Sequence, residues 1–222
     1  MSSMIRLFQA LDWIDNNDSL ADIGCDHGYL AIEAIKKGVS FVQLIDNKQG
    51  PLDSAKKNLE KNDLLNSQNV LLTLASGLTN LDERIDTVAI LGMGGELIAQ
   101  ILEEGESKIN NVNKFILEAN TKNHILRKFL FDHKYEIIEE KIVKENRKFY
   151  ELILARKTDV LIDYDDCDLI FGPCLKREKS PLFKEKWLKI YQDYQKILNN
   201  SNKHLEKILY ESKLIEEVLC LK

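Results

Sequence analysis

The chain has 222 residues, 44% of them hydrophobic and 30% charged, with a formal net charge of −5. This suits one domain of ordinary size plus an appendage, with the composition of a soluble globular protein. No apolar run approaches the roughly 20 residues that cross a bilayer, "MSSMIRLFQALDW" has no signal-peptide core, and the scattered Cys25, Cys167, Cys174 and Cys220 form no CxxC pair. A membrane span, a secretory leader, a disulfide framework and a zinc or other metal site are therefore not expected, and a reducing cytoplasm is.

Through most of the chain, apolar runs alternate with amphipathic stretches. "SLADIG" reads as a short buried strand and "GYLAIEAIKK" as a helix. "FVQLID" is a second strand, and Pro51 opens the helix "PLDSAKKNLEKN", where its missing N–H costs nothing. "NVLLTLA" and "DTVAILG" are two further strands, followed by the helix "GELIAQILEEG". "KFILEAN" is a fifth strand and leads to the helix "NHILRKFLFDH". "YEIIEEKIV" and "KFYELILARK" are expected to pair antiparallel at the sheet edge. This alternation implies an α/β fold, a doubly wound, mostly parallel sheet of seven strands covered by helices.

After Arg156 the pattern stops, which places a boundary between 1–158 and 159–222. "KTDVLIDYDDCDLIFGP" reads as an acidic connector closed by Gly172-Pro173. Apolar residues then recur at helical spacing from Phe183 to Leu198 and, beyond the break "NNSN", from Leu205 to Leu219. Two helices joined by a short polar turn predict an antiparallel hairpin with a coiled-coil-like seam. Residues 172–222 carry 11 Lys and Arg against 7 Asp and Glu, so an acidic body bears a mildly basic tail.

Doubly wound sheets bind ligands at the carboxyl ends of their strands. In this chain those ends carry Asp22–Gly28, Asp46-Asn47, Ala75–Gly77, Gly92–Gly95 and Glu118–Asn120. A dinucleotide loop offers bare backbone to a pyrophosphate, but Gly24-Cys25-Asp26-His27-Gly28 lacks the central glycine and places a carboxylate there. Two unit charges ~4 Å apart interact by roughly 4 kcal/mol at an effective dielectric near 20, which repels pyrophosphate and attracts a cation. S-adenosylmethionine, with a sulfonium, an ammonium and no phosphate, suits Asp22 and Asp26, while capping of the next helix is their competing role. Asp46 is placed to accept from ribose hydroxyls, a role that nicotinamide and S-adenosylmethionine folds share.

"ADIGCDHGYL", "GPLDSA", "AILGMGGELIAQILEEG", "LRKFL", "KFYE" and "FGP" occur in the order and spacing of the bacterial tRNA (adenine-22-N1)-methyltransferase family, which the sequence resembles over nearly its whole length. The most specific element is Gly92-Met93-Gly94-Gly95. The resemblance implies a Rossmann-like class I methyltransferase sheet with a C-terminal coiled coil, methyl transfer from S-adenosylmethionine to N1 of one tRNA adenine, and tRNA as partner. A monomer is the expected state. Cys25 stands where serine is usual, Gly28 where alanine is, Asp46 where glutamate is, and Glu118-Ala119-Asn120 where Gln-Pro-Asn is. Ser76 replaces an aspartate expected near the cofactor's adenine, so weaker cofactor binding is expected.

On that reading Asp22, Gly24, Cys25, Asp26, Gly28, Asp46, Asn47, Ser76, Gly77, Gly92 and Met93 bind the cofactor. Asp26 serves the charge that appears on the base, with the donor's ammonium as its alternative partner, and His27 orients the base or relays a proton, with capping or loop packing as its plainer role. Tyr29 and Phe149 stack on the base or belong to the core. Gly92, Gly94 and Gly95 bring backbone close to the base and methyl, where backbone groups read the adenine edge, unless the run is a tight turn, and Asn120 is a further substrate candidate. Arg6, Lys176, Arg177, Lys179, Lys184, Lys186 and Lys189 are expected to meet RNA phosphates. Open alternatives are a non-catalytic cofactor-binding adaptor and methylation of a small molecule or protein; an NAD-dependent oxidoreductase is disfavoured by Asp26.

Overall fold

The computed structural model describes residues 4–65, 69–160, 162–200 and 205–221. Alternating short apolar runs and amphipathic stretches become β1 (Ser19–Ile23), α2 (Tyr29–Lys37), β2 (Phe41–Asp46), α3 (Gln49–Lys61), β3 (Val70–Leu74), β4 (Thr87–Gly94), α4 (Gly95–Glu104), β5 (Lys114–Thr121), α5 (Asn123–Asp132), β6 (Tyr135–Glu145) and β7 (Lys148–Lys157), preceded by α1 (Ile5–Leu11). The seven strands form one sheet in the order β3-β2-β1-β4-β5-β7-β6. β7 runs antiparallel to both β5 and β6, and the other pairs are parallel. β1 through β5 are apolar where both faces are covered; Ile45, Val88, Ile90, Phe115 and Leu117 are almost wholly buried, as expected of parallel strands beneath helices. The strand order reverses between β1 and β4, so a crevice opens above their carboxyl ends.

The seven-stranded expectation holds, with local corrections. Pro51 is the third residue of α3 rather than its first; the N–H groups of a first turn lack intrahelical partners, so the ring is still accommodated. α1 was not expected. Its seven residues are too few to show a clear period, yet Leu7 and Leu11 pack against the core beside Trp13 and Ile14.

The acidic connector is partly helical. Asp165 and Asp168 form a capping box, with the Asp168 N–H donating to Asp165 Oδ1 at 2.6 Å and the Asp165 N–H to Asp168 Oδ2 at 3.2 Å. They start α6 (Asp166–Phe171), and Pro173 opens α7 (Pro173–Glu178). Residues that look like connector charge are therefore helix caps.

The tail forms α8 (Pro181–Asn200) and α9 (Glu206–Leu219), which pack against each other; of the turn expected at "NNSN", Asn199 and Asn200 continue α8 and the other two residues lie outside the described residues. Phe183, Trp187 and Ile215 pack with Phe171 and Leu175 beneath the hairpin. Farther out the seam is more polar than its spacing suggests: Tyr191 donates to Glu216 at 2.6 Å and Gln195 to Ser212 at 2.8 Å, while Ile197 and Leu209 remain exposed. There the two helices have only each other, and one side of each stays wet.

An ionic cluster joins body and tail. Arg127 of α5 contacts Glu140 of β6 at 2.7 Å and Glu151 of β7 at 2.9 Å, all three buried, and Lys186 of α8 closes on Glu151 from the other side. Glu140 also accepts from the Cys174 N–H at 2.9 Å, and Arg127 donates to the Ile170 carbonyl. Burial opposes the Arg127 charge, but the two carboxylates outweigh it and hold the guanidinium firmly protonated.

Candidate active site

A cavity of about 1440 Å³ opens over the carboxyl ends of β1, β2, β4 and β5. The β1–α2 loop forms its floor. Gly24 has φ +71°, a backbone conformation that disfavours any side chain, and a Cβ there would lie 2.2 Å from Met93 Cε, so a larger residue would strain the loop and displace the Met93 methyl at the end of β4. Asp22, Cys25, Asp26 and His27 line the same wall, and Asp46 and Asn47 continue it. Asp46 Oδ1 accepts the Lys48 N–H at 2.9 Å, which orients the carboxylate.

Three carboxylates converge on this wall. Asp22 is buried, and burial first, then the Asp46 carboxylate, push its pKa up to about 7, with a smaller push from Asp26 and an opposing pull from the Ala31 N–H. A buried carboxylate in this state favours a cationic guest, whose charge offsets both the desolvation and the repulsion. Burial likewise pushes the Cys25 thiol far above its ordinary value, so it is no nucleophile. Asp26 adopts φ +46° and its side chain is 72% exposed, 3.6 Å from His27 Nε2. The N-cap of α2 is Gly28, with no side-chain cap, so Asp26 and His27 do not cap that helix.

The opposite wall is built around a bulge. Pairing of β4 with β5 slips between Leu91 and Gly94, which leaves Gly92 outside the ladder with φ +80°. Its freed backbone groups are recaptured by side chains of β5. The Gly92 N–H donates to Glu118 Oε2 at 3.0 Å, and Asn120 Nδ2 donates to the Gly92 carbonyl at 2.6 Å. A Gly92 backbone expected to read an adenine edge is thus already engaged on both sides.

Of the residues singled out in the sequence, Arg6, Tyr29, Asn120, Lys186, Lys189 and Phe149 join the loop aspartates, Gly92 and Met93 around the cavity. Tyr29 is half exposed and Phe149 partly so, rather than core. Gly28, Ser76, Gly77, Gly94, Gly95, Lys176, Arg177, Lys179 and Lys184 lie outside the lining. Gly28 packs on Leu44 and Ala55, and Gly95 sits against the Lys122 backbone, so both glycines serve packing between elements. Lys176 is paired with Asp168 at 2.7 Å and with Asp165.

A family model described as tRNA (adenine(22)-N(1))-methyltransferase matches residues 20–219. The chain belongs to this family. It is 34% identical over 201 residues to the tRNA (adenine(22)-N(1))-methyltransferase of Bacillus subtilis, covering 86% of this chain and 82% of that one. Streptococcus pneumoniae Sp1610, solved in complex with S-adenosyl-L-methionine, matches with TM-score 0.90 and 34% identity over 99% of this chain and 100% of that one. M. capricolum TrmK, solved with S-adenosyl-homocysteine, matches with TM-score 0.84 and 28% identity over 98% and 96%.

In this tRNA (adenine(22)-N(1))-methyltransferase family member, sequence reasoning missed three features of the site. Glu118 is nearly inaccessible yet lines the cavity. Arg147 and Lys148 reach it from the β6–β7 turn, where Asn146 and Arg147 both have positive φ, the signature of a two-residue hairpin. The sequence signal was the short gap "KENR" between the two expected strands, which places a tight turn there; nothing local reveals that the tip faces β1.

Proposed function

We propose that this chain transfers the methyl group of S-adenosylmethionine to N1 of adenine 22 of tRNA, in the cytoplasm. The observation that carries the reading is the convergence, in one cavity, of the acidic β1–α2 loop and the Gly92 bulge, in a chain of this family. The cofactor, when bound, supplies a methyl group on a positively charged sulfur. Asp22 matches that charge, Asp46 is oriented to accept from the ribose, and Gly24 allows close approach.

Neutral adenine N1 has an in-plane lone pair and needs no base to become a nucleophile. The protein's tasks are to place N1 in line and to stabilise the positive charge that then appears on the ring. Asp26 stands exposed at the cavity with its carboxylate free to face that charge and to accept a proton from the exocyclic amine. Tyr29 and Phe149 offer partly exposed rings against which an extruded base can stack. Lys48, Arg147, Lys148 and Lys189 line the cavity, and the last three bring cations from β6–β7 and α8 to meet phosphates.

Incubating the protein and S-adenosylmethionine with unmodified tRNA, then mapping modified nucleosides by mass, should yield 1-methyladenosine at position 22. Unmodified product would remove the proposal and leave a binding adaptor. Within an active enzyme, Asp26→Ala should lower kcat by roughly 10²–10⁴-fold with cofactor affinity little changed. Near wild-type turnover refutes the role of Asp26, and a selective loss of cofactor affinity reassigns it to the donor's ammonium.

A further inference from the structure

Arg6 is read from the sequence as a contact for RNA phosphate, but its guanidinium is already engaged inside the protein. Its Nη1 donates to Glu118 Oε2 at 3.0 Å, its Nε to Glu145 Oε2 at 3.2 Å, and its backbone N–H to Glu145 Oε1 at 2.8 Å. The guanidinium also lies over the Tyr150 ring, 4.1 Å from its centroid. One residue of α1 thus bridges carboxylates from β5 and β6.

The consequence lies at Glu118. Its side chain is 1% exposed. Oε2 takes both of its bonds, from Arg6 and from the Gly92 N–H, and Oε1 has no partner among the described residues. A buried carboxylate with one empty oxygen is held only by what grips the other, and Glu145 nearby repels it. Without Arg6, Glu118 faces burial with a single neutral donor. It relieves that cost by turning to water or taking a proton, and either change loosens the Gly92 N–H.

We propose that Arg6 is a positioning residue that, through Glu118, holds the Gly92 bulge in the geometry that receives the target base. The link to catalysis rests on the function proposed above; the link from Arg6 to Gly92 does not. Two measurements keep these apart. Amide hydrogen exchange at Gly92, followed by NMR in the full chain, should accelerate at least about tenfold in Arg6→Ala and return toward wild type in Arg6→Ala/Glu118→Gln, because a neutral amide at 118 accepts the same N–H and needs no cation. Unchanged exchange in Arg6→Ala overturns the proposal whatever the protein's activity.

In methylation assays on unmodified tRNA, Arg6→Ala should lower kcat by about tenfold or more, with KM for tRNA and its salt dependence nearly unchanged, and the double variant should regain most of the loss. A raised KM, a shallower salt slope and no rescue would make Arg6 an RNA contact instead. Should Arg6→Ala not fold, Arg6→Lys keeps the charge but not the fork that bridges both carboxylates, and the same two readouts should move in the same direction by less.

Discussion

At the scale of single residues the most informative group is Asp22. Burial and the neighbouring Asp46 raise its pKa to about 7, so the ligand-free protein binds a proton there as pH falls through neutrality. A cationic ligand binds the ionised form better, and binding must therefore release that proton at lower pH. The sign follows: affinity for S-adenosylmethionine is full above about pH 8 and falls by up to about tenfold per unit below pH 7. Calorimetric titration between about pH 5.5 and 8 measures this, and Asp22→Asn should flatten the profile. A wild-type affinity that stays level across that range would mean that Asp22 does not meet the ligand's charge.

At the scale of elements, the β6–β7 hairpin does more than close the sheet edge. Glu145 pairs with Lys148 across the two-residue turn Asn146-Arg147, so the tip is a tight, fixed corner rather than a loose loop. It carries Arg147 and Lys148 to the cavity opposite the β1–α2 loop, and neither is in an ion pair among the described residues. Replacing both by alanine should weaken tRNA binding and reduce the salt slope by about one for each phosphate that the tip no longer neutralises. Cofactor affinity should not move. Filter-binding titrations at several salt concentrations test it; an unchanged slope would remove the tip from the RNA surface. Lys176, paired with Asp165 and Asp168, should contribute far less.

At the scale of the whole molecule, the tail is tied to the body by buried charge. Arg127, Glu140 and Glu151 form one cluster that Lys186 completes from α8, and Gly172-Pro173 passes directly over it. Removing Arg127 leaves Glu140 without a cation among the described residues and Glu151 with Lys186 alone. Arg127→Met should cost about 3–5 kcal/mol, or roughly 10 °C of melting temperature for a chain of this size. Lys186→Met should cost less, because Arg127 still faces Glu151. Calorimetric melting curves decide between them; equal losses would mean that the cluster is not centred on Arg127. Deleting 172–222 would uncover Phe171 and Glu140, so point substitutions are the sound test of RNA binding by the tail.

The sheet, the loop that lines the cavity and the family are legible in the sequence alone, because each rests on a local signal. Strand and helix periods repeat over a few residues, and Gly24 to Gly28 and Gly92 to Gly95 are contiguous motifs. The sequence left α1 unseen because seven residues carry too little periodicity, and Asp165 and Asp168 read there as part of an acidic connector because a cap and a linker have the same composition. The fates of the basic residues were decided only by tertiary structure. Arg6, Lys176 and Lys186 meet carboxylates, 112 positions away in the chain for Arg6 and Glu118, whereas Arg147 and Lys148 are left facing the cavity. A charge's partner depends on what the fold brings within a few ångströms of it, and no pattern along the chain encodes that distance.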